Sequence, residues 1–217
     1  DIASISGDNF GTYRRNVIPS KYANSGSIYN GENQNLFYQE NSALGFDGKT
    51  FSARKLIKTS SGGGSLIRYS PTGHPFNFGG SGNKIWTSYW KIGTPDVTRL
   101  QIRLNIKDVG DQYFMINLTS NATGSSTHYQ WSLTQQDNGW WKLVIGFNIP
   151  SNGDNVSLKP QKTNGQMLQG EFIYVDGESI QDADSISPSS ATNHIENLPT
   201  FTSRLGNATY VDSNGLI

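Results

Sequence analysis

Between Arg99 and Asp108 the chain reads RLQIRLNIKD, a strict alternation of apolar and polar side chains. Leu100, Ile102, Leu104 and Ile106 share one parity; Gln101, Arg103, Asn105 and Lys107 share the other. Successive side chains of a strand point to opposite faces, so one parity is hidden and the other faces out. A helix repeats at about 3.6 positions and cannot sort these residues in that way. The segment requires a sheet with one covered face and one available face.

The same reading extends along the chain. Short apolar or alternating runs are separated by Gly, Asn, Asp and Pro, and helical periodicity is nearly absent. Strands are expected at 34–40, 51–60, within 65–80, and at 83–93, 99–108, 112–120, 127–136, 139–150, 156–162 and 170–180. That is about nine or ten strands, enough for two facing sheets. The fold class is therefore all-β, an antiparallel β-sandwich of the jelly-roll kind. Residues 1–33 read as an irregular N-terminal arm, 34–180 as the sandwich and 181–217 as an extended C-terminal tail. The arm and tail are too polar to fold alone. The chain opens without Met and ends on YVDSNGLI, as a piece of something longer would.

The run DNGWWKLVIGFNI sets two tryptophans side by side. Trp141, Leu143, Ile145 and Phe147 form an apolar row at period two, so Trp141 is expected in the core. Trp140 shares its row with Lys142, Val144 and Gly146 and is expected on an outer or cleft face. In KIWTSYWK, Trp86 and Trp90 share one parity and Ile85 and Tyr89 the other; one parity is core, and the sequence does not say which.

Lys plus Arg is 17 and Asp plus Glu is 17, so net charge is zero. Such a chain has no long-range attraction for nucleic acid or an anionic membrane. No apolar run reaches the roughly 20 residues of a membrane helix, so no membrane insertion is expected. Cysteine is absent, which excludes disulfides and thiolate metal sites. Charged residues are 16%, below the usual share of about 25%. Ser, Thr, Asn, Gln and Gly must cover the surface instead. That cover suits neutral polar ligands such as sugars, and equally a dense assembly.

The order NKIWTSYWKIG, QIRLNI, GWWKLVIGFNI, GEFIYVDGESI resembles the jelly-roll carbohydrate-binding modules of polysaccharidases and phage tail proteins. The opening DIASISGDNFGTY is similar to segments that begin sugar-binding domains of phage tail and head fibres. The ending FTSRLGNATYVDSNGLI is similar to an Arg-x-x-x-Ala-Thr-Tyr-Val-Asp-x-x-Gly-Leu-Ile sequence at domain junctions of those fibres. The resemblance spans nearly the whole chain and is strongest at its ends. It implies a non-catalytic receptor-binding domain at a fibre tip of a virion, a homotrimer that contacts a bacterial surface polysaccharide. It does not name the sugar. No catalytic β-helix precedes the domain in this sequence.

Sugar faces stack on aromatic rings, and amides and guanidinium bind hydroxyls in pairs. The row Gln101, Arg103, Asn105, Lys107 would make a stripe about 20 Å long. Trp140, Trp90, Trp86 and Tyr113 are the candidate aromatic partners. The plain alternatives are a solvated sheet face for the stripe, core packing for Trp86 and Trp90, and loop cover or a subunit contact for Trp140.

Catalysis is less well signalled. A glycosidase needs two carboxylates about one bond, and Asp96, Asp108, Asp111, Asp137 and Asp154 sit at turns. A lyase of the same architecture would want His beside Tyr, but His128 and Tyr129 take opposite parities. His74 and His194 read as surface residues. A purely structural fibre domain is the other alternative. No catalytic cofactor is expected; related modules keep a structural calcium ion, for which Asp176 and Glu40 are the candidate ligands.

Overall fold

The computed structural model describes residues 36–49, 52–61, 67–69, 82–106, 108–149, 156–191, 200–202 and 209–211. The N-terminal arm, Lys107, His74 and His194 lie outside them. Strands follow as β1 (Leu36–Ala43), β2 (Ala53–Lys58), β3 (Ile67–Tyr69), β4 (Gly82–Ile92), β5 (Arg99–Ile106), β6 (Gly110–Asn117) and β7 (Ala122–Ser125). Then come β8 (Tyr129–Gln135), β9 (Trp140–Ile149), β10 (Val156–Lys162), β11 (Gly165–Gln166), β12 (Phe172–Asp182), β13 (Thr200–Thr202) and β14 (Thr209–Val211).

Two antiparallel sheets form a β-sandwich. One has seven strands in the order β1-β2-β12-β4-β9-β8-β7; the other has the order β11-β10-β5-β6, with β3 also on β10. The alternation of β5 is obeyed: Leu100, Ile102, Leu104 and Ile106 are buried between the sheets. From the opposing sheet they meet Leu56, Trp86, Trp90, Leu143, Ile145, Phe147, Ile173 and Val175. Each such side chain contributes about 1.5–3 kcal/mol by leaving water. At one margin Phe114 of β6 stacks on Tyr129 of β8, ring centroids 4.5 Å apart and planes 7° from parallel, tying the sheets together.

Trp141 lies in this core, as its parity requires. So do Trp86 and Trp90, both fully buried, which settles the parity of β4. The Trp90 indole N–H donates to Ser88 Oγ at 2.8 Å, so its polar atom is partnered inside. The opposite row, Ile85, Thr87 and Tyr89, is buried too. β4 is covered on both sides, and alternation in polarity is lost where both faces are dry.

Two segments cover the outer side of the seven-stranded sheet. One follows β1: Phe46 lies on Tyr89, and Ala43, Ala53, Tyr174 and Trp140 complete a second small apolar cluster. The other follows β12 and passes over β9. A Cβ on Gly146 would stand 2.0 Å from the carbonyl oxygen of Ile186, so only glycine admits that approach.

β12 carries a bulge between Asp176 and Ser179, with Gly177 at φ 57°. Arg54 lies opposite Val175 on the inner side of β2 and forms an ion pair with Glu178. Both side chains are fully buried. At the far end of β12, Asp182 pairs with Lys84 of β4.

β7 and β11 were not expected from the sequence. β7 reads ATGS, without an apolar row; Gly124 lies directly opposite Trp131, whose indole occupies the space a Cβ would need. Beyond β12, a 3-10 turn spans Pro188–Ser190, and β13 pairs with β14 in a second unit of the chain.

Candidate functional site

The outer face of the five-stranded sheet is built by register. The turn between β5 and β6 places Asp108 at φ 62° and Gly110 at φ 82°, backbone values that close a tight connection. Counting back from it sets Arg103 opposite Tyr113, Gln101 opposite Met115 and Asn105 opposite Asp111. On the other side β10 sets Lys159 opposite Gln101 and Gln161 opposite Arg99. All these positions have outward parity, because their neighbours Ile102, Leu104 and Ile116 are core.

The geometry follows. Arg103 donates to Asp111 Oδ2 at 2.6 Å, a charge-assisted bond at a partly exposed site. The same guanidinium carbon stands 6.0 Å from the centre of the Tyr113 ring. Tyr113 is 60% exposed and Met115 38%, both unusually open for such large side chains. Gln161 donates to Gln101 at 3.3 Å, and Arg99 donates to Asn117 at 2.9 Å. The result is an exposed phenol ring on a bed of amides and guanidinium groups, with Asp111 balancing Arg103.

Gln101, Arg103 and Tyr113 are therefore brought together on one open face. Asn105 lies at an outward register position of β5, and Lys107 falls outside the described residues. Three expected aromatic partners are corrected. Trp86 and Trp90 belong to the inter-sheet core. Trp140 has the outward parity expected of it, but it is fully buried under the segment that carries Phe46, with Lys91 Nζ 5.9 Å from its ring. None of the three offers a face to a sugar.

Asp111 is a residue the sequence reading misplaced: it is not in the turn but on β6, where it orients Arg103. The tight Asp108–Gly110 connection was the signal that could have found it, because it fixes the hairpin register.

Asp176, the first candidate calcium ligand, is ringed by hydrogen-bond donors. Its Oδ2 accepts from Phe46 N–H at 3.2 Å and from Ser52 Oγ at 2.9 Å; its Oδ1 accepts from Gly177 N–H at 2.8 Å. Burial pushes its pKa up, against these hydrogen bonds and nearby Arg54. Calcium needs about six to eight oxygen acceptors. Donors crowd this carboxylate instead, so the arrangement does not fit the ion. Glu40 lies on β1 where the register with β2 shifts between Gln39 and Ala43, and its side chain is outside the described residues. Among the described residues no group of three His, Asp or Glu side chains could hold a metal. No helix among them is long and apolar enough to cross a membrane.

The fold and face together define a β-sandwich with one covered sheet and one open polar sheet. No family model matches the chain, and no curated protein matches it. The chain is weakly similar to several solved structures, among them the following three. The CBM22-1 xylan-binding domain of Paenibacillus barcinonensis Xyn10C shares 14% identity over 67% of this chain and 79% of that one, with a TM-score of 0.36. The CBM22-1–GH10 modules of Clostridium thermocellum xylanase Xyn10B, complexed with xylohexaose, share 12% over 73% of this chain and 26% of that one, TM-score 0.36. The CBM6 module of Cellvibrio mixtus lichenase 5A, complexed with cellotriose, shares 12% over 70% and 92%, TM-score 0.35. At these values the likeness says nothing of what this chain binds.

Proposed function

We propose that the outer face of the five-stranded sheet binds a bacterial surface polysaccharide without cleaving it. The observation that supports this reading is Tyr113, 60% exposed and set beside the Arg103–Asp111 pair. A bare phenol ring on a polar sheet is a stacking surface for the C–H face of a sugar. Gln101, Gln161, Arg99 and Asn117 supply donors and acceptors around it. A binding site so open contributes little free energy per copy.

The setting in this proposal is the tip of a phage or prophage fibre, outside the cell, with three copies of the chain side by side. It rests on the end motifs DIASISGDNFGTY and RLGNATYVDSNGLI and on the need of a weak site for avidity. A glycan array probed with the chain, run beside light scattering, tests both parts. Retention that disappears in Tyr113→Ala supports the face as the site. Stable oligomers with no binder would make the domain a structural one, and cleavage of an array glycan would make it an enzyme.

A further inference from the structure

Positive charge gathers around Gln101 on the outer face of the five-stranded sheet. Lys159 of β10 lies directly opposite Gln101. On β5, Arg99 and Arg103 stand on either side of Gln101 at the same parity, opposite Gln161 and Ser157 of β10. Lys159 is therefore diagonal to both arginines. Diagonal neighbours of an antiparallel pair are about 7–8 Å apart, within reach of long side chains. Three cations thus surround one amide.

Their partners are unequal. Arg103 is balanced by Asp111. Arg99 donates to Asn117, a neutral group. Among the described residues no carboxylate pairs with Arg99 or Lys159. The nearest charge that Lys159 is seen to act on is a like one: Lys58 of β2 has its pKa lowered by burial and then by Lys159. The chain as a whole carries equal numbers of positive and negative groups, so this excess is local. At about 0.1 M salt its field fades within about 10 Å, so it sorts ligands in contact rather than drawing them from afar.

The open side chains of Tyr113 and Met115 adjoin the cluster, opposite Arg103 and Gln101. From Lys159 to Tyr113 is two strands across and two residues along, roughly 12 Å between backbones. That separation suits neighbouring units of one sugar chain.

We infer that the polysaccharide taken by this face is acidic: one unit lies on Tyr113, and the carboxylate or phosphate of a neighbouring unit is held by Arg99 and Lys159. Guanidinium binds either anion through paired hydrogen bonds, and ammonium binds it as a point charge. The inference rests on the reading of this face as a glycan-binding site and adds the charge of its ligand.

The test is an array of bacterial polysaccharides probed with the full chain at low salt. Each acidic glycan is printed intact and with its charge removed, carboxylates reduced to alcohols or phosphates cleaved off. Intact acidic glycans should be retained, and removal of the charge should lower retention about fivefold, the scale of an ion pair at an open site. The treatment that causes the loss tells carboxylate from phosphate. Arg99→Gln with Lys159→Gln should bring intact glycans down to the level of the neutralised ones. Melting temperature shows whether that double variant is folded; if it is not, Lys159→Gln alone carries the test. Tyr113→Ala should lower retention of both forms alike. Equal retention of intact and neutralised glycans, or an unchanged preference in the charge variants, would overturn the inference, while a loss in Tyr113→Ala would still mark the face as a glycan site. Double-stranded DNA held as strongly as the acidic glycans would overturn it too, because any polyanion would then suffice. Retention of no glycan at all would sink it together with the reading on which it rests.

Discussion

Phe46 lies flat on Tyr89, ring centroids 3.8 Å apart and planes 11° from parallel. That stack closes the outer side of the seven-stranded sheet over Trp140. Phe46→Ala should therefore cost about 2 kcal/mol, below the 3–5 typical of a fully buried phenylalanine because the ring is half-buried. Urea unfolding measures the loss. Acrylamide should also quench more of the tryptophan fluorescence in this variant. Unchanged stability and quenching would mean that the ring covers nothing.

Much of the architecture was legible because β5 is dry on one side only. Its inward row, Leu100 to Ile106, is buried as period two requires, and Gln101 and Arg103 hold outward register positions, while Lys107 lies outside the described residues. β4 and β9 were harder. Ser88 lies inside and Tyr89 lies outside under a lid, so polarity misreports the face of both. Trp140 was expected to be open because the residue that covers it, Phe46, arrives from a loop far earlier in the chain. Asp176 anchors that loop through Phe46 N–H and Ser52 Oγ. No local spacing encodes such a cover. Tyr113, by contrast, stays open because no described segment crosses β6 on that side.

Arg103 and Tyr113 separate binding from stability. Their contact and the Arg103–Asp111 pair are at a partly exposed site, where an ion pair is worth about 0–1 kcal/mol. Arg103→Ala should leave the melting temperature within a few degrees of the parent, on the scale of about 4 °C per kcal/mol. Glycan retention should disappear. A large drop in melting temperature with retention intact would make the stripe structural.

Gly146 tests the second cover. A methyl group there meets the backbone of Ile186 rather than a side chain that can turn away. Gly146→Ala should displace the segment from Ala183 to Ala191 and cost about 1–3 kcal/mol, the usual range for overpacking. Limited proteolysis should then cut that segment faster than in the parent. Equal cleavage rates would show that the close approach is not a constraint.

The buried pair Arg54–Glu178 should respond asymmetrically. Removing one member leaves a charge inside the sandwich, at a cost of about 3–5 kcal/mol. Glu178→Ala and Arg54→Ala should each lose that much in denaturant unfolding. Replacing both by Met and Leu should recover most of it, since an apolar pair needs no solvation. A double variant as weak as the singles would mean that the pair is bound into further polar contacts that apolar side chains cannot replace.

Asp176 makes stability depend on pH in a direction opposite to that of a salt-bridged carboxylate. Burial raises its pKa above 3.8 in the folded chain, whereas in the unfolded chain it ionises near that value. Between the two values the folded state holds a proton that the unfolded state has released. Stability from this group is therefore complete below pH 3.8 and is lost as pH rises through the folded pKa. Asp176→Asn cannot titrate, so its melting temperature should lack that falling component. It should also be lower throughout, because its amide N–H₂ faces the donors of Phe46, Ser52 or Gly177. Melting curves of both proteins from pH 3 upward give the difference directly. A parent curve that instead rises relative to the variant over this window would mean that the hydrogen bonds outweigh burial.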